Sequence, residues 1–370
     1  MSPSRITPLR IATFVTAFLI VACGRAPEIV GVVNPAVPTA AVPELRKHKM
    51  FVAATRTHSG EAGVLFSSGR AAELGLASVV ATVPPNHKVG ELERPEKLPP
   101  DPRTEFTVIE PTVYRSEQSF ISAIDSELDR QPAGSRRMML FVHGYNNNFS
   151  EAALRLAQFV EDTNYPGVPM LMTWASAANP VRYVYDLNSA LIARGKLKEI
   201  SSLLHRTDVD SVDIFAHSMG TLLTMEGLVD AQKAGTLGHR TAINNIVLAS
   251  PDIDIDLFRT QIRQLPPEIR SKIFLLVSRD DRALLASRRL AGGVPRVGAA
   301  NTAELEGMGV TVIDLSTIND SSSGSHSKFA GSPEVVRMIG LGLNRSGGLE
   351  RGRTPAFDRL LENVPIIITQ

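Results

Sequence analysis

Short, almost uninterrupted apolar runs alternate with stretches of helical period through residues 116–315, and this alternation constrains the fold more than any other feature. The apolar runs cover residues 138–142, 169–174, 212–216, 243–249, 273–277 and 310–315. Helical stretches precede or separate them at 119–128, 151–163, 190–204 and 221–234. Strands that are apolar along their whole length are covered on both faces, and strands that alternate with helices pair in parallel. The sequence therefore predicts an α/β fold built on a doubly wound, mostly parallel sheet.

Two further strands are predicted upstream, at 49–55 and 77–83, and a Pro-Pro pair at 84–85 ends the second one. The sequence shows no internal repeat. In open α/β sheets, ligands bind at the carboxyl ends of the parallel strands. Residues that directly follow the apolar runs are therefore the first candidates for chemistry.

The amino terminus has the pattern of an export signal. Arg5 and Arg10 precede an apolar run of twelve residues, 11–22, and Cys23 follows at once. A bilayer span needs about 20 apolar residues, so a run this short with a basic start is typical of a secretory signal. The end of the run with Cys23 resembles the lipobox of bacterial lipoproteins, in which the cysteine becomes lipidated. The alternative is an ordinary signal peptide followed by a coincidental cysteine.

The predicted organisation has four parts. Residues 1–23 form the lipoprotein signal, and residues 24–45, rich in Pro and Ala, form a linker. Residues 46–330 form the α/β domain, and residues 331–370 form a partly disordered tail. We expect an exported protein, anchored in the bacterial cell envelope on the outer-membrane or periplasmic side through a lipid on Cys23.

Composition excludes several classes of protein. The formal net charge is +1, with acidic and basic residues interspersed, so no nucleic-acid partner is predicted. A single cysteine excludes a disulfide framework and any zinc site built from several cysteines. There is no Gly-x-Gly-x-x-Gly or Walker-type loop to cradle a nucleotide. We therefore predict neither a metal nor a cofactor.

The run at 212–216 leads into Ala-His-Ser-Met-Gly at 216–220, and a helical stretch follows. This arrangement is similar to the Gly-x-Ser-x-Gly nucleophile elbow of α/β-hydrolases, which also joins a strand to a helix. Ala216 replaces the first glycine by a residue only one methyl larger, and Gly220 is kept. The alternative is that Ser218 merely caps the helix. The strand-to-helix context favours Ser218 as a nucleophile.

A second motif, His-Gly-Tyr-Asn at 143–146, follows the run at 138–142. In lipases and esterases a His-Gly loop at this place supplies a backbone amide to the oxyanion hole. The candidate donors are the amides of Tyr145, which is favoured by position, or Asn146, together with the amide of Met219. The alternative is a plain connection with asparagines in turns. His143 itself is expected to have a structural role.

A serine nucleophile needs a histidine base, and in this fold the chain order is serine, acid, histidine. His217 directly precedes Ser218, and only two histidines, His239 and His326, follow it. His239 precedes the next strand and so lies before every candidate acid. His326 follows the last apolar run, in a loop of glycine and serine. Chain order therefore predicts His326 as the base.

The acid is expected just after the run at 273–277, where Asp280 and Asp281 stand side by side. Asp252 and Asp254 follow the preceding strand and are the alternative acids. Asp252 could instead fix a loop by binding backbone amides. The order of the chain leaves these candidates open.

Together these segments resemble a bacterial branch of the α/β-hydrolases that is similar to esterases and lipases and has a domain of unknown function. The matching segments are Phe51–Arg56, Phe141–Asn147, Thr173–Ser176, Tyr185-Asp186, Ala216–Gly220, Leu248–Asp254 and Ser278–Leu284. The resemblance spans roughly residues 49–330. It implies the α/β-hydrolase fold and a Ser-Asp-His triad, with Asp281 preferred to Asp280.

The predicted activity is hydrolysis of a carboxylic ester through an acyl-enzyme on Ser218, with a small-molecule or lipid ester as substrate. One alternative is an acyltransferase that uses the same residues. Another is a catalytically silent, envelope-tethered protein that keeps the hydrolase fold as a scaffold or binding module.

Overall fold

The computed structural model describes residues 26–238, 241–318, 324–344 and 366–368. The strands are β1 (Arg46–His58), β2 (Phe66–Val83), β3 (Thr107–Tyr114), β4 (Arg137–Val142), β5 (Val168–Thr173), β6 (Ser211–His217), β7 (Ala242–Ala249), β8 (Ile273–Val277), β9 (Thr311–Asp314) and β10 (Ile366–Ile368). The helices are α1 (Glu117–Leu128), α2 (Phe149–Thr163), α3 (Tyr183–Ala193), α4 (Lys196–Leu204), α5 (Met219–Lys233), α6 (Ile255–Ile262), α7 (Pro267–Arg270), α8 (Arg282–Leu290), α9 (Lys328–Gly331) and α10 (Pro333–Leu343).

Within the described ranges the strands form one ten-stranded sheet in the order β10-β9-β8-β7-β6-β4-β5-β1-β2-β3. The strands from β9 through β1 in this order run parallel to their neighbours. β10 pairs antiparallel with β9 at one edge, and β2 and β3 extend the other edge in antiparallel fashion. The prediction of a doubly wound, mostly parallel sheet is confirmed.

Alternate residues of the parallel strands pack into two apolar cores, one on each face of the sheet. In β4, Leu140 joins the core under α1, α3, α4, α5 and α6, whereas Phe141 joins the core under α2, α9 and α10. Side chains alternate between the faces of a strand, so each apolar run contributes to both cores. This explains why the runs have so few polar residues.

One predicted helix is two helices in the structure. The stretch 190–204 contains the end of α3 and the whole of α4, with Arg194 and Gly195 between them. Glycine is a poor helix former because it loses the most backbone freedom on folding. The periodic pattern continues across the break, so the periodicity alone does not reveal it.

The described part of the predicted linker packs on the domain instead of spanning free space. Ile29 and Val30 are buried. The amide of Val30 donates to the carbonyl of Gly63 at 2.9 Å, and the amide of Ile29 donates to Oγ of Ser150 at 3.1 Å. Ile29 and Val30 thus attach the start of this segment to the domain, and a short 3-10 helix, Thr39–Ala41, lies farther along it.

The packed domain also continues past residue 330. α10 buries Val335 and Ile339 against the α2 side of the sheet, and Nδ2 of Asn344 donates to the carbonyl of Thr163 at 2.8 Å. The remaining tail residues 345–365 and the predicted signal with Cys23 lie outside the described residues. Among the helices that are described, none combines the length and hydrophobicity needed to span a membrane.

Candidate active site

Ser218 lies at the turn between β6 and α5 in a strained backbone conformation. Its φ is 53° and its ψ is −125°, a combination that L-residues rarely adopt. The amide of Ser218 donates to the carbonyl of Ala249 at 2.9 Å, and its carbonyl accepts from the amide of Thr221 at 3.0 Å. Its side chain makes no capping hydrogen bond to α5. The turn therefore holds the Ser218 backbone in place without using its hydroxyl to cap the helix.

Two glycines allow the backbone to come close to this turn. A Cβ at Gly220 would stand against the carbonyl of His143 and 2.7 Å from that of Val142. A Cβ at Gly144 would lie 2.8 Å from the Cβ of Ser218. The first turn of α5, the loop after β4 and Ser218 are therefore in direct contact, and residues with side chains do not fit at either position without a shift.

The structure brings His326 and Asp281 together. Nδ1 of His326 lies 2.8 Å from Oδ2 of Asp281, whose side chain is fully buried. The other carboxylate oxygen, Oδ1, accepts from the amide of Leu284 at 3.0 Å, so Asp281 also caps α8. A ring nitrogen that faces a carboxylate carries the proton, which leaves Nε2 of His326 as the acceptor.

Asp280, the neighbouring candidate acid, has other partners. It accepts hydrogen bonds from Ser278, from Oγ of Ser325 at 2.7 Å and from Nζ of Lys328 at 2.9 Å. Burial opposes its ionisation, but these three donors together lower the pKa of Asp280 to about 2. The buried Lys328 also donates to the carbonyl of Leu315 at 2.9 Å. Asp280 and Lys328 thus hold the loop on which His326 lies.

Asp252, an alternative acid, is also occupied. Its carboxylate accepts from the hydroxyl of Tyr183 at 3.0 Å and from Oγ of Ser287 at 2.5 Å, and Nε of Arg296 lies 3.3 Å away. Burial and the nearby Asp252 raise the pKa of Tyr183, so this phenol remains a donor. Asp254, the other alternative, accepts from two amides as the cap of α6.

His143 is buried beneath the loop after β4. Nδ1 lies 2.8 Å from the carbonyl of Gly144, and Nε2 accepts from the amide of Trp174 at 3.2 Å. The imidazole stacks on the indole of Trp174 with 5.0 Å between the ring centroids. Burial, with the charge of Arg56, lowers the pKa of His143 to about 3, so the ring is neutral with its proton on Nδ1. This geometry fits the structural role expected for His143.

The backbone amides of the same loop differ in their partners. The amide of Asn146 donates to Asp186 at 3.1 Å, that of Asn147 to Oγ of Ser176 at 3.1 Å, and that of Asn148 to Glu151 at 2.9 Å. In the part of the chain that the structure describes, the amide of Tyr145 has no acceptor.

Met219 directly follows Ser218 and is the first residue of α5, where the backbone amides have no partner within the helix. The dipole of the helix also favours negative charge there. Within the described residues, neither the amide of Met219 nor that of Tyr145 has an acceptor, and Gly144, the residue before Tyr145, packs against Ser218.

Sequence reasoning missed several residues that shape this site. His217 lies beside Ser218, and its Nε2 is 3.1 Å from the carbonyl of His326, so it ties the two loops together. Arg56 and Asp186 bind the loop after β4, and Lys328, two residues after His326, joins that part of the chain to Asp280. Arg56 and Asp186 fell within segments noted for family resemblance, but nothing in their spacing pointed to a role.

No group of three or more His, Cys, Asp or Glu side chains in the described ranges is arranged to hold a metal ion.

Comparison with known proteins identifies a family. The model of a family described as alpha/beta hydrolase of unknown function (DUF900) matches residues 116–342. No curated protein matches the sequence significantly. A solved structure from a study of two fungal esterases from Rhizomucor miehei has a TM-score of 0.30 and 11% identity, covering 87% of this chain and 82% of that one. Since the family match covers more than half of the chain and includes Ser218, Asp281 and His326, the protein belongs to this family of α/β-hydrolases of unknown function.

Proposed function

We propose that the protein is a serine hydrolase that cleaves a carboxylic ester through an acyl-enzyme on Ser218. The observation that carries the proposal is the 2.8 Å hydrogen bond between His326 and the fully buried Asp281. It lies at the carboxyl edge of the sheet that also presents the strained turn of Ser218. His217, the residue before Ser218, binds the carbonyl of His326, which supports a close approach of base and nucleophile.

The chemistry follows from these positions. Nε2 of His326 takes the proton of Ser218 as Oγ attacks the ester carbonyl, and a tetrahedral oxyanion forms. The imidazolium then gives its proton to the leaving alcohol, and the acyl group stays on Oγ. Water, deprotonated by the same nitrogen, attacks the acyl-enzyme, releases the carboxylic acid and restores Ser218. Throughout, Asp281 keeps the proton of His326 on Nδ1 and stabilises the imidazolium.

Asp281 is preferred as the acid because it is the carboxylate that contacts His326. Asp280 and Asp252 are engaged with a lysine, an arginine and several hydroxyls. Their substitution is expected to affect the loops that they hold. It is not expected to remove the ion pair that forms in the transition state.

The oxyanion is proposed to bind the amides of Met219 and Tyr145. Asn146, the other candidate donor, already gives its amide to Asp186. The carbonyl of Gly144 accepts from Nδ1 of His143 at 2.8 Å, and a trans peptide directs the Tyr145 N–H the opposite way. Two amides aimed at the developing charge are the usual arrangement for acyl transfer.

The proposal is tested with a fluorophosphonate probe, which phosphonylates an activated serine with loss of fluoride. We expect labelling of the wild-type protein and of Ser126→Ala, a control at an exposed serine of α1, but none of Ser218→Ala. p-Nitrophenyl esters of increasing acyl length, assayed with the same variants, then give the chain-length preference. A well-folded wild-type protein that neither takes the probe nor hydrolyses any ester would refute the proposal and favour a silent scaffold.

We also propose that Cys23, which lies outside the described residues, carries the lipid anchor. Cys23→Ser would then release the protein from the membrane fraction without changing its rate on a soluble ester. Retention of Cys23→Ser in the membrane fraction would contradict the anchor.

A further inference from the structure

Two buried, oppositely charged side chains bind the loop after β4, which packs against Ser218. Arg56, at the end of β1, is 1% exposed, and Asp186, in α3, is fully buried. Neither lies on an element that carries Ser218, Asp281 or His326. Burying a charge is costly unless the charged group is fully hydrogen-bonded. The hydrogen-bond partners of Arg56 and Asp186 therefore indicate which parts of the backbone these two side chains stabilise.

All three nitrogens of the Arg56 guanidinium contact this region, and Nη1 also donates to the carbonyl of Ser67 on β2 at 3.3 Å. Nε donates to Oγ1 of Thr173 at 2.8 Å, and Nη1 donates to the carbonyl of Ser176 at 3.1 Å. Nη2 donates to the carbonyl of Asn147 at 2.7 Å and lies 3.4 Å from Nε2 of His143. A planar fork with five N–H groups can bind several acceptors in fixed directions, which an ammonium cannot do.

Asp186 binds the loop after β4 and the loop after β5, through two backbone amides and one hydroxyl. Oδ2 accepts from the amide of Asn146 at 3.1 Å and from Oγ of Ser176 at 2.5 Å, and Oδ1 accepts from the amide of Ala177 at 2.6 Å. Oγ of Ser176 in turn accepts from the amide of Asn147 at 3.1 Å. Arg56 therefore holds the carbonyls of Asn147 and Ser176, and Asp186 holds the amides of Asn146 and Ala177, so that each side chain links the loop after β4 to the loop after β5.

These bonds fix the peptide planes on either side of Tyr145. The amide of Asn146 belongs to the peptide after Tyr145 and is bound to Asp186. The carbonyl of Gly144 belongs to the peptide before Tyr145 and accepts from His143 at 2.8 Å and from Nδ2 of Asn147 at 3.2 Å. With its neighbours bound in this way, the N–H of Tyr145 has one direction available to it.

We infer that Arg56 and Asp186 form a clamp that positions the Tyr145 amide for the oxyanion. Both are positioning residues: they act through the backbone of 144–147 and touch no reacting atom. The inference rests on the proposed function and adds to it the two side chains that make the oxyanion hole rigid before substrate binds. An oxyanion donor must be placed within a few tenths of an ångström to act, so a small shift of the loop is enough to lower the rate.

The test uses Asp186→Asn, which keeps the shape of the side chain. An amide offers one oxygen and one NH2, so one of the N–H donors of Asn146 and Ala177 would face another donor. We expect kcat to fall about 100-fold with KM nearly unchanged. Binding of a trifluoromethyl ketone, whose adduct with Ser218 carries an oxyanion, should weaken by the same factor.

Arg56→Lys gives a second, independent perturbation, since it keeps the charge and loses the fork. Arg46→Lys, at the exposed start of the same strand, where the partners are Glu161 and the carbonyl of Pro84, is the matched control and should behave like the wild type. In both clamp variants the pH profile of kcat/KM should keep its wild-type midpoint, because the pair of Asp281 and His326 is untouched. A merely structural role would instead lower the melting temperature and the fraction of active enzyme without changing kcat per labelled serine.

The outcomes separate the inference from the function on which it rests. Folded clamp variants with wild-type kcat and wild-type affinity for the ketone would overturn the clamp and leave the serine hydrolase standing. A wild-type protein inert to the fluorophosphonate would overturn the proposed function and the clamp together. Equal losses in kcat and in ketone affinity, with KM and the pH midpoint retained, support both.

Discussion

Asp281→Asn is the substitution whose result depends most directly on the geometry of the site. In the wild type, Oδ1 of Asp281 accepts from the amide of Leu284 at 3.0 Å and Oδ2 faces Nδ1 of His326 at 2.8 Å. An asparagine has one oxygen for these two places. If the oxygen stays with Leu284 the cap of α8 survives, and the NH2 faces His326. If it turns to His326, the NH2 opposes the Leu284 amide and the cap is lost, at a cost of about 1 kcal/mol.

The cap therefore favours the arrangement that is wrong for catalysis. An NH2 group donates to Nδ1 and moves the ring proton to Nε2, where His326 can no longer accept from Ser218. The charge that stabilises the imidazolium is also gone. We expect kcat/KM to fall about 10³- to 10⁴-fold, equivalent to about 4–5.5 kcal/mol at 1.36 kcal/mol per tenfold change. The melting temperature should change little because the cap remains.

The assay compares kcat/KM on one p-nitrophenyl ester for the wild type, Asp281→Asn and the matched variant Asp280→Asn. The matched variant removes a carboxylate from the adjacent position, where Lys328 and Ser325 are its partners. We expect Asp280→Asn to lose far less activity than Asp281→Asn. A loss of less than tenfold in Asp281→Asn, or a larger loss in Asp280→Asn, would refute the assignment of the acid.

Two further predictions concern stability and are read by urea unfolding. Gly220→Ala places a methyl 2.7 Å from the carbonyl of Val142, so the free energy of unfolding should fall by about 1–3 kcal/mol, and an unchanged midpoint would contradict this packing. His87 lies 2.7 Å from both Glu93 and Asp162; although burial opposes its protonation, these carboxylates raise the pKa of His87 above 6.5. Its charge then stabilises the fold fully below pH 6.5, and the stability is lost as the pH rises through the raised pKa. His87→Gln should remove this pH dependence of the free energy of unfolding. An unaltered pH profile would show that the contacts of His87 with Glu93 and Asp162 contribute nothing to it.

Much of the fold could be predicted because the parallel strands are buried on both faces and their sequences are therefore apolar. Most residues of β4 to β8 are apolar, since helices cover both faces of the sheet. The order of chain elements then leaves a single histidine, His326, beyond the last predicted apolar run, which contains β9. The motif around Ser218 stood out because its strain and close packing demand small residues at fixed places.

Other features leave no comparable pattern. The antiparallel β3 contains Pro111 and is exposed over half its length, so it lacks the alternation that marks a strand. α8 buries only Leu284 and Ser287, and its start depends on the cap from Asp281. The contacts of Arg56 and Asp186 join residues 91 and 40 positions apart, a kind of pairing that only the folded chain defines. Position in the motif already favours Tyr145 over Asn146 as the proposed oxyanion donor, but the bond from the Asn146 amide to Asp186, which supports that preference, is visible only in the folded chain.

The attachment of residues 28–30 to the domain sets how far the protein could stand from a membrane. On the proposal that Cys23 is lipidated, five residues, 24–28, separate the anchor from the buried Ile29. Fully extended, they reach about 18 Å. Glu28 and Ile29 bind Ser150 in the first turn of α2, directly after the loop that carries Tyr145. A connecting segment this short would keep the carboxyl edge of the sheet, with the proposed active site, at the bilayer surface. There the local concentration of membrane esters far exceeds that of dissolved ones.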